Sequence, residues 1–182
     1  MIQENYYAVE DGFRVLHGPV LGGLCMIGSA AACTFLGLLH DVGKIGVPDA
    51  VINKPEKLTE AEYDIIKTRP VLGAKILGNI QAMPSLQMGA RWHHERFDGN
   101  GYPDGLSGEN IPEEARIIAV ADAYDAMTSH RSYRASLPQE VVREEIEKCS
   151  GKQFDPRFAR IMLAMMDEDK EYEMREKTGR VL

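Results

Sequence analysis

The 182-residue sequence is poor in cysteine, and its three cysteines suggest no disulfide framework. Cys25, Cys33 and Cys149 form no CxxC pair, and an odd number cannot pair completely within one chain. The start of the chain also lacks a basic segment followed by an apolar stretch and a small-residue cleavage site. These absences argue against a secreted, disulfide-rich protein, and we expect a cytoplasmic one.

Positive charge is also in short supply, with 21 Lys and Arg residues against 28 Asp and Glu residues and a net charge of −7. Affinity for a nucleic-acid polymer depends on basic side chains that neutralise phosphates, so we expect no such partner. A small anionic ligand stays compatible with a local basic patch. The length and the 44% hydrophobic content are sufficient for one compact domain with a buried core.

Long apolar runs are limited to residues 18–39, which contain no charged residue. Their number approaches what a membrane-spanning helix requires. Several glycines and small residues dilute the hydrophobicity, and the run leads directly into His40 and Asp41. We therefore expect a buried core helix that ends beside a polar site, and no membrane span.

Repeats and the period-two alternation of β-strands are absent, and helical signals dominate the sequence. Thr59 is expected to cap a helix that runs to about Arg69, and Pro70 is expected at a break or in a following first turn. Further helices are predicted from Glu113 to about Met127 and from Pro138 to Lys148. Residues 97–112 are crowded with glycine and proline, which predicts a structured loop.

Histidine is scarce, yet three of the five histidines fall in two short clusters, His40-Asp41 and His93-His94. Imidazole and carboxylate groups together suit first-row transition metals, and a carboxylate such as Asp41 can bridge two ions. Adjacent residues on a helix point about 100° apart, so His93 and His94 would address different ions or different edges of one cluster. Each cluster alone also fits ordinary structural histidines.

Asp122 is the third candidate, because it interrupts an apolar helical segment between Ile117 and Ala126. A carboxylate among apolar side chains needs a partner to offset its desolvation, and a metal ion would supply one. The alternative is an aspartate on the helix surface. We expect Asp125, one turn later, to be such a surface residue.

Ordered matches over about residues 30–165 resemble the HD-GYP domain family. The HD part is carried by HDVGKIGVPD at 40–49, NKP at 53–55 and KLT at 57–59. The GYP part is carried by HHERFDGNGYPDGL at 93–106 and IP at 111–112. RIIAVAD at 116–122, RSYR at 131–134 and FDP at 154–156 extend the match.

The resemblance implies an all-α fold, an HD-superfamily helical bundle with an extended GYP loop. It also implies a centre of two or three iron or manganese ions and hydrolysis of cyclic di-GMP to linear pGpG or GMP. His40, Asp41 and Asp122 would hold the central ion, with Asp41 bridging. His93 and His94 would bind flanking ions.

The same resemblance assigns the catalytic and substrate-binding residues. Lys44 would stabilise the developing charge or protonate the leaving oxygen, next to the metal-bridging Asp41. Tyr102 would lie beside the ligand. Arg131 and Arg134 would contact phosphate or guanine through charge-assisted hydrogen bonds.

Two departures from the family pattern bear on the metal centre. Arg69 stands where the family usually places a histidine ligand, and a guanidinium has no lone pair to donate to a metal. Near the N-terminus the family's glutamate and histidine ligands have no clear counterpart, and Asp11 and His17 are the available candidates. The sequence thus predicts between one and three ions.

Three functions remain open on this basis. The first is an active or impaired cyclic di-GMP phosphodiesterase. The second is a non-catalytic module that binds cyclic di-GMP or a protein. The third is a nucleotidase of the HD superfamily, which leaves the GYP loop unexplained.

The expected organisation is a single domain over residues 1–182. Residues 1–29 would be divergent or truncated N-terminal helices, and residues 166–182 a charged C-terminal helix or tail. Because the family is usually fused to sensory domains, a fused or separate sensory, receiver or GGDEF-domain partner is expected, and a homodimer is compatible with the sequence.

Overall fold

Helices make up most of the described part of the chain, which comprises residues 30–54, 56–129 and 136–174 in the computed structural model. No strand occurs in these ranges, where Ser150 and Phe154 form an isolated bridge. The all-α prediction is confirmed. The α-helices are α1 (Ala30–Leu39), α2 (Asp49–Ile52), α3 (Glu60–Lys67), α4 (Arg69–Leu77), α5 (Pro84–Trp92), α6 (Glu113–Thr128), α7 (Gln139–Cys149) and α8 (Pro156–Glu168), with 3₁₀ helices at Val42–Gly46 and Gly108–Asn110.

The start of α3 is stabilised by a capping box. The Thr59 hydroxyl accepts a hydrogen bond from the Glu62 backbone, and the Glu62 carboxylate accepts one from the Thr59 backbone N–H at 2.7 Å. Helix α3 ends at Lys67, and α4 begins at Arg69 with Pro70 in its first turn, where a missing N–H is tolerated. The predicted cap and break are confirmed.

Helix α6 forms the centre of the core and packs against α5, α7 and α8. Ile118, Val120 and Ala121 are completely buried. Because neighbours cover α6 on several sides, Asp125 is also buried, with 8% of its surface exposed. The expectation that Asp125 is a surface residue was therefore wrong, whereas the Asp122 side chain keeps 34% of its surface exposed.

A close approach of α1 to α5 brings the two histidine clusters together. The Leu36 side chain lies over Gly89, where a Cβ atom would be 2.3 Å from Leu36 Cδ1. Leu36 precedes His40 by one helical turn, and Gly89 precedes His93 by one turn, so this contact sets the separation of the two histidines. Burying a leucine side chain contributes about 2 kcal/mol.

A second close approach places the segment after Asp41 against the start of α4. Gly43 packs so tightly there that a Cβ atom would be 2.0 Å from the Arg69 carbonyl oxygen. Only glycine fits at this position without a backbone shift. The contact fixes the 3₁₀ helix, and with it Lys44, beside Arg69.

The uncharged run of residues 18–39 ends in α1, as predicted, although its part before residue 30 lies outside the described residues. Among the described helices, none is long and apolar enough to cross a membrane. The predicted helices from Glu113 and Pro138 are confirmed, with Pro138 just ahead of the first residue of α7. Of the predicted charged tail, residues 175–182 also lie outside the described part.

Candidate metal centre

His40 lies directly after α1, and one of its ring nitrogens is hydrogen-bonded while the other has no partner. Its Nδ1 is 3.0 Å from the carbonyl oxygen of Gly37, and only 1% of the residue is exposed. The buried Nε2 has no hydrogen-bond partner. A bond from Nδ1–H to a carbonyl fixes the tautomer in which Nε2 presents a lone pair, as in many metal-binding histidines.

His93, directly after α5, repeats this arrangement. Its Nδ1 is 3.1 Å from the carbonyl oxygen of Gly89, and its buried Nε2 also has no hydrogen-bond partner. The rings of His40 and His93 are nearly perpendicular, with centroids 5.1 Å apart. Two bare acceptors buried side by side are unfavourable unless a cation or a donor occupies the space between them.

Asp41 supplies the carboxylate beside these two nitrogens. Its Oδ2 lies 3.6 Å from His40 Nε2, and its Oδ1 lies 3.9 Å from His93 Nε2. One donor atom from each of the three residues falls within 4.8 Å of the others. Two imidazoles and a carboxylate are a donor set that fits zinc, iron or manganese.

Asp122 reaches the same cluster from α6, with its Oδ1 3.7 Å from His40 Nε2. The structure therefore brings together four of the predicted metal-binding residues, His40, Asp41, His93 and Asp122. They come from three separate places in the sequence, the adjacent pair His40-Asp41, His93 and Asp122. Their role as ligands stays a prediction.

The predicted catalytic lysine is an immediate neighbour of this cluster. Lys44 Nζ lies 2.7 Å from Asp41 Oδ2, and 11% of the Lys44 side chain is exposed. Lys44 is therefore more buried than an ordinary surface lysine. The ion pair with Asp41 places the positive charge of Lys44 at the edge of the candidate centre.

The electrostatic environment keeps the carboxylates ionised. Burial alone would raise the pKa of Asp41, but His40, Lys44 and Arg69 hold it well below its ordinary value. The pKa of Asp122 is lowered as well, because the nearby His40 ring, 3.7 Å away, outweighs the effect of burial.

The imidazoles shift in different directions. Burial opposes the charged form of His40, yet the neighbouring Asp41 and Asp122 raise its pKa above 6.5. Burial and the neighbouring His40 lower the pKa of His93 to about 4. Burial, His93 and Arg69 lower the pKa of His94 well below its ordinary value. His93 and His94 are therefore neutral at pH 7, the protonation state that a metal ligand needs.

Arg69, the departure from the family pattern, points into the site. Its Nη2 lies 3.4 Å from His94 Nε2, and its Nη1 lies 4.0 Å from Asp41 Oδ1. Its Nε donates to the carbonyl oxygen of Ile66 at 3.2 Å. Unlike His40 and His93, His94 thus has its Nε2 engaged by a protein group.

The GYP loop folds back over this part of the site. The ring of Tyr102 stacks on that of His94, with centroids 4.9 Å apart and an interplanar angle of 21°. Gly101 lies so close to the chain after His94 that a Cβ atom would be 2.5 Å from the Glu95 Cα. The loop needs glycine here for this close backbone approach.

Glu95 was part of the quoted motif, but sequence reasoning gave it no role. Its Oε1 accepts hydrogen bonds from the backbone N–H groups of Asp104 and Gly105 at 2.7 and 3.0 Å, and 3% of the residue is exposed. Burial raises the pKa of Glu95. Its position directly after two candidate ligands was the available signal.

Hydrogen bonds at the surface also hold the loop, and sequence reasoning assigned no role to the residues that form them. The Asp104 carboxylate accepts two hydrogen bonds from Arg91 at 3.0 Å and one from Trp92 Nε1 at 2.7 Å. Residues 91 and 92 precede the histidine pair and residue 95 follows it, so the loop is hydrogen-bonded to the chain on both sides of the pair. No periodicity in the sequence indicates these contacts.

Four candidate residues lie outside the described part of the chain. Arg131 and Arg134, the predicted ligand-binding arginines, fall in residues 130–135. Asp11 and His17, the candidate N-terminal ligands, fall in residues 1–29. Their roles stay predictions.

Comparison with known protein families identifies one match over most of the chain. The model of the HD domain family matches residues 29–158, which include all of the clustered site residues. This range agrees with the segment of about residues 30–165 over which the sequence resembles the HD-GYP family.

Curated relatives share substantial identity with the chain. A cyclic di-GMP phosphodiesterase of Thermotoga maritima is 43% identical over 146 residues, 79% of this chain and 39% of the relative. The cyclic di-GMP phosphodiesterase response regulator RpfG of Xanthomonas campestris is 46% identical, over 69% of this chain and 34% of its own length. A 3'3'-cGAMP-specific phosphodiesterase 2 of Vibrio cholerae is 39% identical, over 71% and 25%. The chain therefore spans a quarter to two fifths of these relatives.

A solved structure shares the fold. The crystal structure of a cyclic GMP-AMP-specific phosphodiesterase of V. cholerae (V-cGAP3) superposes with a TM-score of 0.62 at 21% identity. The match covers 84% of this chain and 42% of that chain. The helical arrangement is therefore one that a known phosphodiesterase also adopts.

Proposed function

The chain belongs to the HD domain family, as an HD-GYP domain, and on this basis we propose that it is a metal-dependent phosphodiesterase that hydrolyses cyclic di-GMP to linear pGpG, GMP or both. The observation that carries the proposal is the pair of buried, unpartnered Nε2 atoms of His40 and His93 on either side of the Asp41 carboxylate. Two buried nitrogens without a partner are unfavourable unless a cation or a donor occupies the space beside them.

A divalent iron or manganese ion would be held by His40, Asp41, His93 and Asp122. When bound, such an ion lowers the pKa of coordinated water and polarises a phosphoryl oxygen, the chemistry that phosphodiester hydrolysis requires. Zinc fits the same donor atoms and therefore serves as a comparison ion in the turnover assay.

The positive side chains around Asp41 would favour binding of a negatively charged phosphodiester. Lys44 and Arg69 approach opposite oxygens of Asp41 and form a basic edge on an otherwise acidic protein. In this proposal Lys44 would neutralise charge on the phosphate or protonate the departing 3′ oxygen. The P–O3′ bond breaks and water adds to phosphorus, which leaves a 5′-phosphate and a 3′-hydroxyl.

The GYP loop supplies the surface on which the dinucleotide binds in this proposal. Tyr102 presents an aromatic ring next to His94, and the Gly-rich loop allows close backbone approach. Arg131 and Arg134, which lie outside the described residues, would contact phosphate or guanine in this proposal.

The decisive experiment measures turnover of cyclic di-GMP by the anaerobically purified chain loaded with ferrous iron, manganese or zinc. Products are separated by chromatography, and 3'3'-cGAMP serves as the competing substrate. We expect metal-dependent formation of pGpG or GMP. No turnover with iron or manganese would overturn the proposal, and preference for 3'3'-cGAMP would correct the substrate.

A second candidate is favoured by one observation, the guanidinium of Arg69 inside the site. A domain that binds cyclic di-GMP or a protein partner without hydrolysis would tolerate this replacement. Calorimetry that shows binding of intact cyclic di-GMP by the metal-loaded chain, with no product, would support this candidate over the first.

The setting of the domain follows from the same family membership. We propose a cytoplasmic protein in which residues 1–182 act as one domain beside a fused or separate sensory, receiver or GGDEF-domain partner. A homodimer is compatible with this arrangement. Size-exclusion chromatography with light scattering measures the last point directly.

A further inference from the structure

We propose that Arg69 replaces a metal ion on the His94 side of Asp41, so that His40, Asp41 and His93 hold an ion while His94 holds a guanidinium. The inference rests on the metal-dependent function proposed above and deepens it. It assigns His94 to a hydrogen bond instead of the metal-binding role that the sequence resemblance implies.

The hydrogen bond between Arg69 and His94 can have only one direction. A guanidinium has only donors, so in its contact with Arg69 Nη2 the His94 Nε2 atom must be the acceptor. The lone pair that a metal would need is therefore engaged. By contrast, Nε2 of His40 and Nε2 of His93 are bare, and only these two histidines join Asp41 in the three-donor cluster of the described residues.

The Arg69 side chain is held in place by several contacts. Its Nε is bonded to the Ile66 carbonyl oxygen, its Nη1 faces Asp41, and 12% of its side chain is exposed. Its backbone carbonyl packs against Gly43. The guanidinium is thus held from the helix side as well as from the site side, and it does not depend on the contact with His94 for its position.

The positive charge of Arg69 also disfavours a metal ion at this position. Arg69 is permanently protonated, and Asp41, which faces it, stabilises the positive form against the effect of burial. A cation between Asp41 and His94 would meet this fixed positive charge at close range. The guanidinium instead supplies positive charge and spare N–H donors for phosphate oxygens, which is part of what a second ion provides.

Metal content is the direct readout and needs no turnover. The wild-type chain and the variants Arg69→His, Arg69→Lys and Arg69→His/His94→Gln are loaded with manganese, desalted and analysed by elemental analysis. We expect Arg69→His to bind about one ion more per chain than the wild type, because a second imidazole then faces His94. Arg69→Lys and the double variant are expected to show no gain.

Electron paramagnetic resonance of the manganese-loaded samples provides an independent signature. An exchange-coupled pair of ions is expected to appear in Arg69→His and not in Arg69→Lys. The proposal is overturned by a folded Arg69→His variant that binds no more metal than the wild type. A gain that persists in the double variant also overturns it, since the added ion would not use His94.

The wild type keeps the proposal testable even where Arg69→His does not fold. Zinc is titrated into chain labelled with ¹⁵N-histidine, and His93→Gln and His94→Gln spectra assign the ring signals. We expect the Nε2 signal of His93 to shift and that of His94 to keep its position. A zinc-induced shift of the His94 Nε2 signal similar to that of His93 would refute the replacement.

The outcomes separate this inference from the proposed function. If the metal counts follow the expected pattern but no substrate is hydrolysed, the inference stands and the phosphodiesterase proposal fails. If the wild type hydrolyses cyclic di-GMP but binds metal through His94, the function stands and the inference fails.

Discussion

The Tyr102 ring stacks on the His94 ring at 4.9 Å, and the Nε2 atom of His94 contacts the guanidinium of Arg69. His94 therefore connects the GYP loop to the start of α4. The connection runs beside Asp41, so a change in the loop acts directly on the surroundings of the candidate metal centre. The effects of individual substitutions can be predicted from these contacts.

Removal of the Tyr102 ring is expected to weaken substrate binding. Tyr102→Phe keeps the stacking surface on His94, whereas Tyr102→Ala loses it, together with an aromatic contact of about 0.5–1.5 kcal/mol. We expect Tyr102→Ala to raise KM for cyclic di-GMP up to about tenfold, and Tyr102→Phe to raise it far less. Steady-state kinetics checks this, and equal KM values for both variants would show that the stack is not used.

Replacement of Glu95 is expected to loosen the GYP loop. Glu95→Ala removes the acceptor for the Asp104 and Gly105 N–H groups and should lower the free energy of unfolding by about 1–3 kcal/mol. Glu95→Gln keeps an acceptor oxygen and should lose less. Urea unfolding measures both.

The exposed Glu109 on the same loop provides the matched control. Glu109→Ala is expected to unfold like the wild type. A loss of stability in Glu109→Ala as large as that in Glu95→Ala would mean that the two hydrogen bonds are not the cause.

Asp41→Asn is expected to abolish both metal retention and hydrolysis. The substitution removes the negative charge between His40 and His93 and leaves Lys44 without its partner carboxylate. We expect metal affinity to fall by at least about tenfold, since changes even to groups that only support metal ligands have effects of this size. Calorimetric titration with manganese measures the loss.

Asp64→Asn is the matched control for this change, because the Asp64 side chain is 64% exposed and pairs with Lys67 on α3. It should bind metal like the wild type. Full metal affinity in Asp41→Asn would remove Asp41 from the ligand set.

Acid should destabilise the metal-free chain through His93. The folded pKa of about 4 lies below the ordinary value of 6.5, so between these values the unfolded state binds more protons. This contribution to stability is present above about pH 6.5 and is lost as the pH falls toward 4. The groups that face His93 are His40, Asp41, His94, Asp122 and Arg69, and the raised pKa of His40 acts in the opposite direction.

His93→Gln isolates the effect, since glutamine does not titrate. The unfolding free energy of the metal-free wild type should decline with falling pH more steeply than that of the variant, by up to about 1.4 kcal/mol per pH unit. Urea unfolding in chelator-containing buffers across this range provides the curves. Parallel curves would mean that His93 is not buried in its neutral form.

The sequence by itself determined the helical class, the capping of α3 by Thr59, the break before Pro70 and the glycine-rich loop. These features are local: a side chain within three residues caps a helix, and a missing N–H fits only a first turn. The clusters His40-Asp41 and His93-His94 and the family they resemble could also be recognised, because short motifs in a fixed order survive in the sequence.

Only the tertiary structure decided which of those residues meet. The contact of Leu36 with Gly89 brings His40 and His93 close together, and Asp125 is buried because its neighbours cover α6. The pairing of Arg69 with His94 joins residues 25 positions apart, which no periodicity indicates. Burial and charge proximity depend on distances in space, and for this reason the lowered pKa of His93 and the contact of Arg69 with His94 follow from the fold.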